Sequence, residues 1–141
     1  MRRLCWDLES GEVTSGVATG QPVTLLRLKR RDVEDIEVVP YRASTGQPED
    51  LPDGATLVLI LKEEAADTTV LAIADTWTHD GDTHVYSGTL DINTTETETA
   101  FDGDPASVPA VAELVYVLAG DQRSSVTLTA RIDGDVYHDD E

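Results

Sequence analysis

The sequence predicts an all-β sandwich of about seven to nine strands with one short helix. Strand patterns recur along the chain with turn residues between them, and no long helical pattern appears. The chain has 141 residues, of which 40% are hydrophobic. This is long enough for one domain with a proper core that needs no disulfide.

The first 22 residues are predicted to form a strand and a flexible arm. In residues 2–8, Leu4, Trp6 and Leu8 alternate with Arg3, Cys5 and Asp7, as in a half-buried strand. The Gly-, Ser- and Thr-rich stretch that follows is typical of a connection. We therefore assign residues 1–22 to this strand and arm, and residues 23–141 to the sandwich. The segment is either an additional strand or an arm that orders on a neighbouring subunit.

Three strands are predicted next, in residues 23–31, 36–42 and 57–61. Pro40 cannot donate a hydrogen bond to a sheet, so we expect an edge or bulged strand there. The sequence LVLIL of residues 57–61 is apolar on both faces. This pattern predicts the most deeply buried strand of the domain.

The second half of the chain is predicted to hold two hairpins with a short helix between them. The hairpin strands are residues 70–79 with 83–92 and residues 111–119 with 124–133, the latter pair joined by a turn at Gly120-Asp121. Thr95 followed by Glu98 fits a capping box, and Gly103 fits a helix stop. One or two helical turns are therefore expected between the hairpins.

Charge and composition exclude several classes of function. The net charge is −18, and residues 43–141 carry all of the acidic excess, so nucleic acid is not an expected partner. No apolar run reaches the length of a membrane span. Asp7 and Glu9 interrupt any signal-peptide core. We expect no membrane partner, no cleaved signal peptide, and a location in the host cytoplasm unless the protein is assembled into a particle.

Three Asp-Gly-Asp triplets are the features that most resemble a metal site. They begin at Asp80, Asp102 and Asp133, with His79, His84 and His138 beside the first and the last. Asp-Gly between alternating strands is a strong hairpin signal, because glycine supplies the positive φ of primed turns. The residues also lack a clear fourth zinc ligand and the ligand spacing of an EF-hand. We interpret the triplets as turns and predict no metal and no cofactor.

The register of the first hairpin decides whether its histidines meet. A two-residue turn at Asp80-Gly81 would set His79 opposite Asp82. A turn at Gly81-Asp82, or a four-residue loop, would instead pair His79 with His84, so that the two could share a weakly held metal ion. The sequence leaves both registers open.

Catalytic motifs are missing from the sequence, and we predict that the protein is not an enzyme. Cys5 lies in a predicted strand, where a buried inert thiol is expected. Asp75 interrupts the apolar face of Leu71, Ile73 and Trp77. It is either an edge residue that reaches solvent or a functional carboxyl group.

Residues 27–37, RLKRRDVEDIE, mix four bases with four acids. One interpretation is a docking surface for a partner of matching charge. The other is a solvated strand-turn-strand edge with local ion pairs. The sequence favours neither.

The order of several short pieces resembles the small β-sandwich domains of phage and prophage tails, similar to the baseplate upper protein N-terminal domain and tail-fibre-associated proteins. The matching pieces are Arg31-Asp32, Leu51 with Gly54, residues 57–62, Gly88-Thr89-Leu90, residues 93–101 and residues 128–136. The resemblance implies an immunoglobulin-like antiparallel sandwich without catalytic residues.

This resemblance also implies a function. The chain would be a structural tail-fibre or baseplate-associated subunit that contacts other tail or baseplate proteins in the virion, as a homo-oligomer that is expected to be a trimer. The alternative is a small module that binds carbohydrate or another surface ligand. That alternative needs exposed aromatic side chains, for which Trp6, Trp77 and Tyr137 are the candidates.

Overall fold

The computed structural model describes residues 2–17, 20–64, 66–103 and 105–134. In chain order the elements are β1 (Arg2–Asp7), β2 (Val13–Thr14), β3 (Leu26–Lys29), β4 (Val33–Arg42), β5 (Gln47–Pro48), β6 (Thr56–Lys62), β7 (Ala72–Ala74), β8 (Trp77–Asp80), β9 (Val85–Asp91), α1 (Thr95–Ala100), β10 (Ser107–Leu118), β11 (Asp121–Ser124) and β12 (Leu128–Asp133). The predicted all-β class with one short helix is confirmed.

The strands form two six-stranded sheets. The first has the order β2-β1-β4-β9-β8, with β5 paired to β4, and the second has the order β3-β12-β10-β6-β7, with β11 paired to β10. Most pairings are antiparallel, as predicted. The two exceptions are β1 beside β4 and β3 beside β12, which run parallel.

The strand order is that of an immunoglobulin-like sandwich. Strands β4, β9 and β8 correspond to B, E and D of one sheet, and β6, β10 and β12 correspond to C, F and G of the other. Strand β7 extends the second sheet as C′ does in variable-type domains. The chain crosses between the sheets on either side of β3, after β5, after β7 and through α1, and the last three crossings give the Greek-key path.

The core fills the space between the two sheets. Leu59, Leu61, Leu114 and Ile132 reach it from the second sheet and are fully buried. Residues of the first sheet that meet them include Leu4, Trp6, Ile36, Val38 and Leu90. The segment before residue 23 therefore supplies an additional strand, since β1 pairs with β4 and contributes to this core.

Two predicted strands are interrupted in the structure. Residues 70–79 divide into β7 in the second sheet and β8 in the first, because the chain changes sheets at residues 75–76. Residues 124–133 divide where the Ser125 hydroxyl accepts the amide hydrogen of Leu114 at 2.9 Å, in place of a backbone carbonyl. Val126 then lies outside the alternation that was expected of it and is 45% exposed.

The helix and the last turn each begin one residue earlier than predicted. Thr94, not Thr95, caps α1, and its hydroxyl accepts the amide hydrogen of Thr97 at 3.1 Å. Leu118 pairs with Asp121, so the turn consists of Ala119 and Gly120, both at positive φ. Both shifts are within the usual error of boundaries read from a sequence.

Pro40 lies in β4, which is an interior strand of the first sheet. The expected edge position is wrong, but the sheet accommodates the proline locally. Pairing with β9 ends at Val38, and beyond it Pro40 lies beside Trp6 of β1 while its carbonyl oxygen accepts the amide hydrogen of Glu49 at 2.9 Å. Its missing N–H therefore costs no ladder hydrogen bond on the β9 side.

Gly88 is required where β8 and β9 pair. A Cβ atom at this position would lie 2.7 Å from Cε3 of Trp77 and 2.9 Å from the carbonyl oxygen of Thr76. We expect Gly88→Ala to lower the free energy of unfolding by about 1–3 kcal/mol, because the backbone and the indole ring must move. Gly81→Ala is the matched control, since nothing lies within 4 Å of its Cβ position. Equal urea midpoints for the two variants would contradict this packing.

Candidate functional site

The first Asp-Gly-Asp triplet forms a turn in a register that differs from both predicted ones. Asp80 pairs with Val85 and His79 pairs with Tyr86, which leaves a four-residue loop. The Asp80 carboxylate accepts the amide hydrogen of Asp82 at 2.9 Å. Backbone hydrogen bonds from Asp82 and Thr83 lower the pKa of Asp80. This carboxylate stabilises the turn itself.

The other two triplets are only partly described. Asp102 and Gly103 follow α1, and Gly103 has a φ of 84°. Asp133 ends β12 and forms ion pairs with Arg27 and Arg131 at 3.3 and 3.0 Å. Asp104, Asp135 and His138 lie outside the described residues.

The two hairpin histidines meet on a carboxylate that the sequence does not point to. Oδ1 of Asp50 lies 2.8 Å from Nε2 of His79 and 2.6 Å from Nδ1 of His84. His79 also stacks on Tyr86 with ring centroids 4.2 Å apart. The Tyr86 hydroxyl accepts the amide hydrogen of Leu51 at 3.0 Å. These contacts join the loop before β6 to the β8–β9 hairpin.

The geometry around Asp50 is that of a hydrogen-bonded clamp. Burial by itself would raise the pKa of Asp50, but hydrogen bonds from His84 and His79 outweigh it and lower the pKa. Both ring nitrogens contact the same oxygen atom. Among the described residues, no group of three or more His, Cys, Asp and Glu side chains is placed to hold a metal ion.

A polar cleft of about 390 Å³ lies beside this clamp. Its lining includes Trp77, Tyr86, Asp53 and Asp75. Trp77 is partly buried, and its indole N–H donates to the carbonyl oxygen of Leu57 at 2.9 Å. Asp75 is exposed, which agrees with the solvent-facing alternative for this residue.

Trp6 and Cys5 do not line the cleft. Trp6 is buried in the core with its ring centroid 5.7 Å from that of Tyr116. Tyr137 lies outside the described residues. Cys5 is 1% exposed, and burial raises the pKa of its thiol, an effect that Arg3 partly offsets. These findings agree with the expectation of an inert thiol.

The mixed-charge segment of residues 27–37 spans both sheets, since β3 and β4 belong to different ones. Arg30 donates two hydrogen bonds of 2.9 Å to the Glu98 carboxylate of α1, and Arg31 adds another at 3.1 Å. The Arg30 guanidinium also lies 4.6 Å from the centre of the Phe101 ring. Much of this segment is thus used for ion pairs within the protein, but they join it to distant residues such as Glu98 and are not the local pairs that one interpretation expected.

The outer surface of the second sheet carries apolar side chains that the main core does not use. We call it the open face and define its apolar part as Val58, Ile60, Ile73, Val111 and Val117. Val58, Ile60 and Val111 are partly buried, whereas Ile73 is 47% and Val117 36% exposed. Ile60 lies between Ile73 on β7 and Glu113 on β10. The apolar side chains therefore adjoin one another across three strands.

The charges of the open face differ from those of the whole chain. By strand register it carries four bases and two acids, namely Arg27, Lys29, Lys62, Arg131, Glu113 and Asp133. The chain as a whole has 10 bases and 28 acids. The open face is thus a basic, partly apolar surface on a strongly acidic protein.

No family model and no curated protein matches this sequence. Among solved structures, that of the NK cell receptor Nkp44 is similar, with a TM-score of 0.38 and 10% identity over 82% of this chain and 100% of the other. The structure of murine CRIg gives a TM-score of 0.35 and 10% identity over 79% of this chain and 92% of the other. Neither similarity indicates a function.

The helix content bears on membrane insertion. Across the residues that the structure describes, no helix has the length and apolar character needed to span a bilayer.

The ion pairs of Glu98 predict a pH dependence. Hydrogen bonds from Arg30, together with Arg31, lower the pKa of Glu98 despite some opposing desolvation. A lowered folded-state pKa gives stability that is present above the ordinary carboxyl range and is lost as the pH falls through the folded value. We expect Glu98→Gln to cost about 1 kcal/mol near neutral pH, after allowance for solvent screening.

This cost should shrink as the pH falls below the usual value of 4.5 for a glutamate. Urea unfolding at several pH values measures it. Glu96→Gln, in the same helix, is the control and should show little cost at any pH. A Glu98→Gln cost that does not change with pH would show that these ion pairs are not its cause.

Proposed function

We propose that the protein is a structural subunit that acts through protein–protein contacts and has no catalytic role. The observation that carries this proposal is the apolar part of the open face, which lies on the surface instead of in the core. Apolar strand residues that remain uncovered in a monomer are typical of a surface that another protein covers. Such a contact needs neither a catalytic group nor a cofactor.

The biological setting that we propose is a phage or prophage tail, with the chain as a tail-fibre or baseplate-associated subunit of the virion. The support is the resemblance of the pieces between Arg31 and residue 136 to tail sandwich domains. An attachment module of this kind would hold other tail or baseplate proteins, and assembly with copies of itself is part of the proposal. The acidic remainder of the surface would limit unspecific association with nucleic acid.

The cleft beside Asp50 supports a second candidate, a module that binds carbohydrate or another small surface ligand. Trp77 and Tyr86 offer aromatic surface there, and Asp53 and Asp75 offer hydrogen-bond acceptors. Aromatic rings beside polar groups are a common way to hold a sugar. The engagement of the Trp77 indole N–H with Leu57 leaves its ring, and not its N–H, for such a ligand.

Immunogold electron microscopy of particles induced from the source organism tests the tail proposal. We expect gold on tail tips or fibres, because a structural subunit remains in the finished particle. Antibody that has been absorbed with the purified protein is the control and should leave the particles bare.

Particles without gold, with the antigen left in the lysate, would contradict the tail proposal. The cleft candidate would then be tested by a glycan screen that compares the wild type with Asp53→Ala. Asp35→Ala, on the outer surface of the first sheet, is the matched control.

A further inference from the structure

Strand β6 is apolar on both of its faces, yet only one face is fully covered by the fold. Leu57, Leu59 and Leu61 point into the core and are 4%, 0% and 0% exposed. Val58 and Ile60 point the other way and remain only partly buried. Val115, which pairs with Val58 on the same side, is 3% exposed, so the fold covers that end of the face, whereas Ile73 is 47% exposed. A strand that is apolar on both faces usually has both faces covered.

The register of the second sheet fixes what surrounds these side chains. Val58 is paired with Val115, Ile60 with Glu113 and Lys62 with Val111. Ile73 continues the apolar strip on the far side of Ile60. The centre of the open face is therefore apolar, and it carries one base and one acid on neighbouring strands.

Lys62 and Glu113 form no ion pair within the described residues. Their strands are adjacent, and the two side chains project to the same side of the sheet, two residues out of register with each other. Each charge thus lacks a partner of opposite sign, although such a partner is present on the same surface. A surface with this pattern is complementary to a copy of itself.

We propose that the open face binds a second copy of this chain, face to face about a two-fold axis. The two-fold axis runs parallel to the sheet, above the midpoint between Lys62 and Glu113, and is perpendicular to the line that joins them. It sets each lysine opposite the partner copy's glutamate. The same operation brings the strips that contain Ile60 and Ile73 together. This inference rests on the proposed function only in that both require protein–protein contact.

Electrostatics disfavours self-association through the acidic remainder of the surface. Two copies of a chain with a net charge of −18 repel each other over most of their surfaces. The open face is the exception, with four bases and two acids. A contact there keeps the acidic surfaces apart, and the reciprocal Lys62–Glu113 pairs offset the repulsion between the basic borders, on which Arg27 and Arg131 already pair with Asp133.

The size of the open face sets the expected affinity. Five strands about 4.8 Å apart and about six residues long at 3.3 Å per residue give a projected area of roughly 500 Å². This is at the low end of specific interfaces, which bury about 800 Å² per partner. We therefore expect a reversible dimer with a Kd on the order of micromolar.

Charge reversal tests the reciprocal pairs in the full chain. Sedimentation velocity over a wide concentration range should show a monomer–dimer equilibrium for the wild type. Lys62→Glu and Glu113→Lys should each raise Kd by about tenfold or more, because each variant places like charges opposite one another twice in the dimer. The double variant Lys62→Glu/Glu113→Lys should return Kd to within a few-fold of the wild-type value, since the pairs are restored with their signs exchanged.

Two control variants change the net charge by the same amounts as Lys62→Glu and Glu113→Lys, but at positions outside the open face. Arg123→Glu lies on exposed β11, and Asp35→Lys lies on the outer surface of the first sheet. Both should leave Kd close to that of the wild type, and thermal unfolding should show that every variant folds. If one of the single variants fails to fold, the wild type can still be compared with the double variant and with the two controls.

Three results would overturn the inference. They are a wild type that stays monomeric, a double variant that associates no better than the single ones, and a trimer in place of a dimer. The tail proposal is judged separately by gold on particles, so either idea can fail while the other stands.

Discussion

The side-chain alternation of β6 is the constraint on which the rest of the structure depends. Its three leucines fill the centre of the core, where they meet Leu114 of β10 and the buried residues of the first sheet. A shift of one residue would move these leucines to the surface and Val58 and Ile60 into the core. The pairing of seven residues of β6 with β10 excludes that shift. The same register that builds the core therefore also creates the open face.

The charges of the protein are divided in a way that follows from this arrangement. The bases near the N-terminus are largely held in internal ion pairs, in which Arg30 and Arg31 attach α1 to the β3–β4 turn. Of the bases of the open face, Arg27 and Arg131 pair with Asp133, whereas Lys62 lies beside the apolar strip. Two clusters that look alike in composition thus have different consequences, one for the stability of the monomer and one for its contacts.

The sequence was sufficient to predict the sandwich, the hairpins and the short helix, because local alternation and turn residues determine them. It was not sufficient to predict where the chain changes sheets at residues 75–76. It also gave no sign that a serine hydroxyl would interrupt the last strand. The interruption depends on the side chain of Ser125, which bonds to Leu114 across the hairpin, 11 residues away, and strand alternation carries no signal for such a contact.

The candidate sites likewise include features that the sequence could predict and features that it could not. The turn at Asp80 could be predicted, since its hydrogen bonds lie within four residues. Asp50 could not, because it lies 29 residues before His79 and nothing local marks it. For β6, the prediction of the most deeply buried strand is wrong, because Val58 and Ile60 are only partly buried whereas four consecutive residues of β1 are buried. What the pattern could not show is that, in the described part of the chain, the two faces of β6 are covered unequally.

The most direct test of this account is a dilution series of the protein with labelled isoleucine methyl groups, observed by NMR. The chain has five isoleucines. Ile36, Ile92 and Ile132 are buried in the core, whereas Ile60 and Ile73 belong to the open face. We expect the methyl signals of Ile60 and Ile73 to shift with concentration while the three core signals stay in place. Five signals that do not change at any concentration, or shifts confined to the core, would contradict the assignment of the open face as a contact surface.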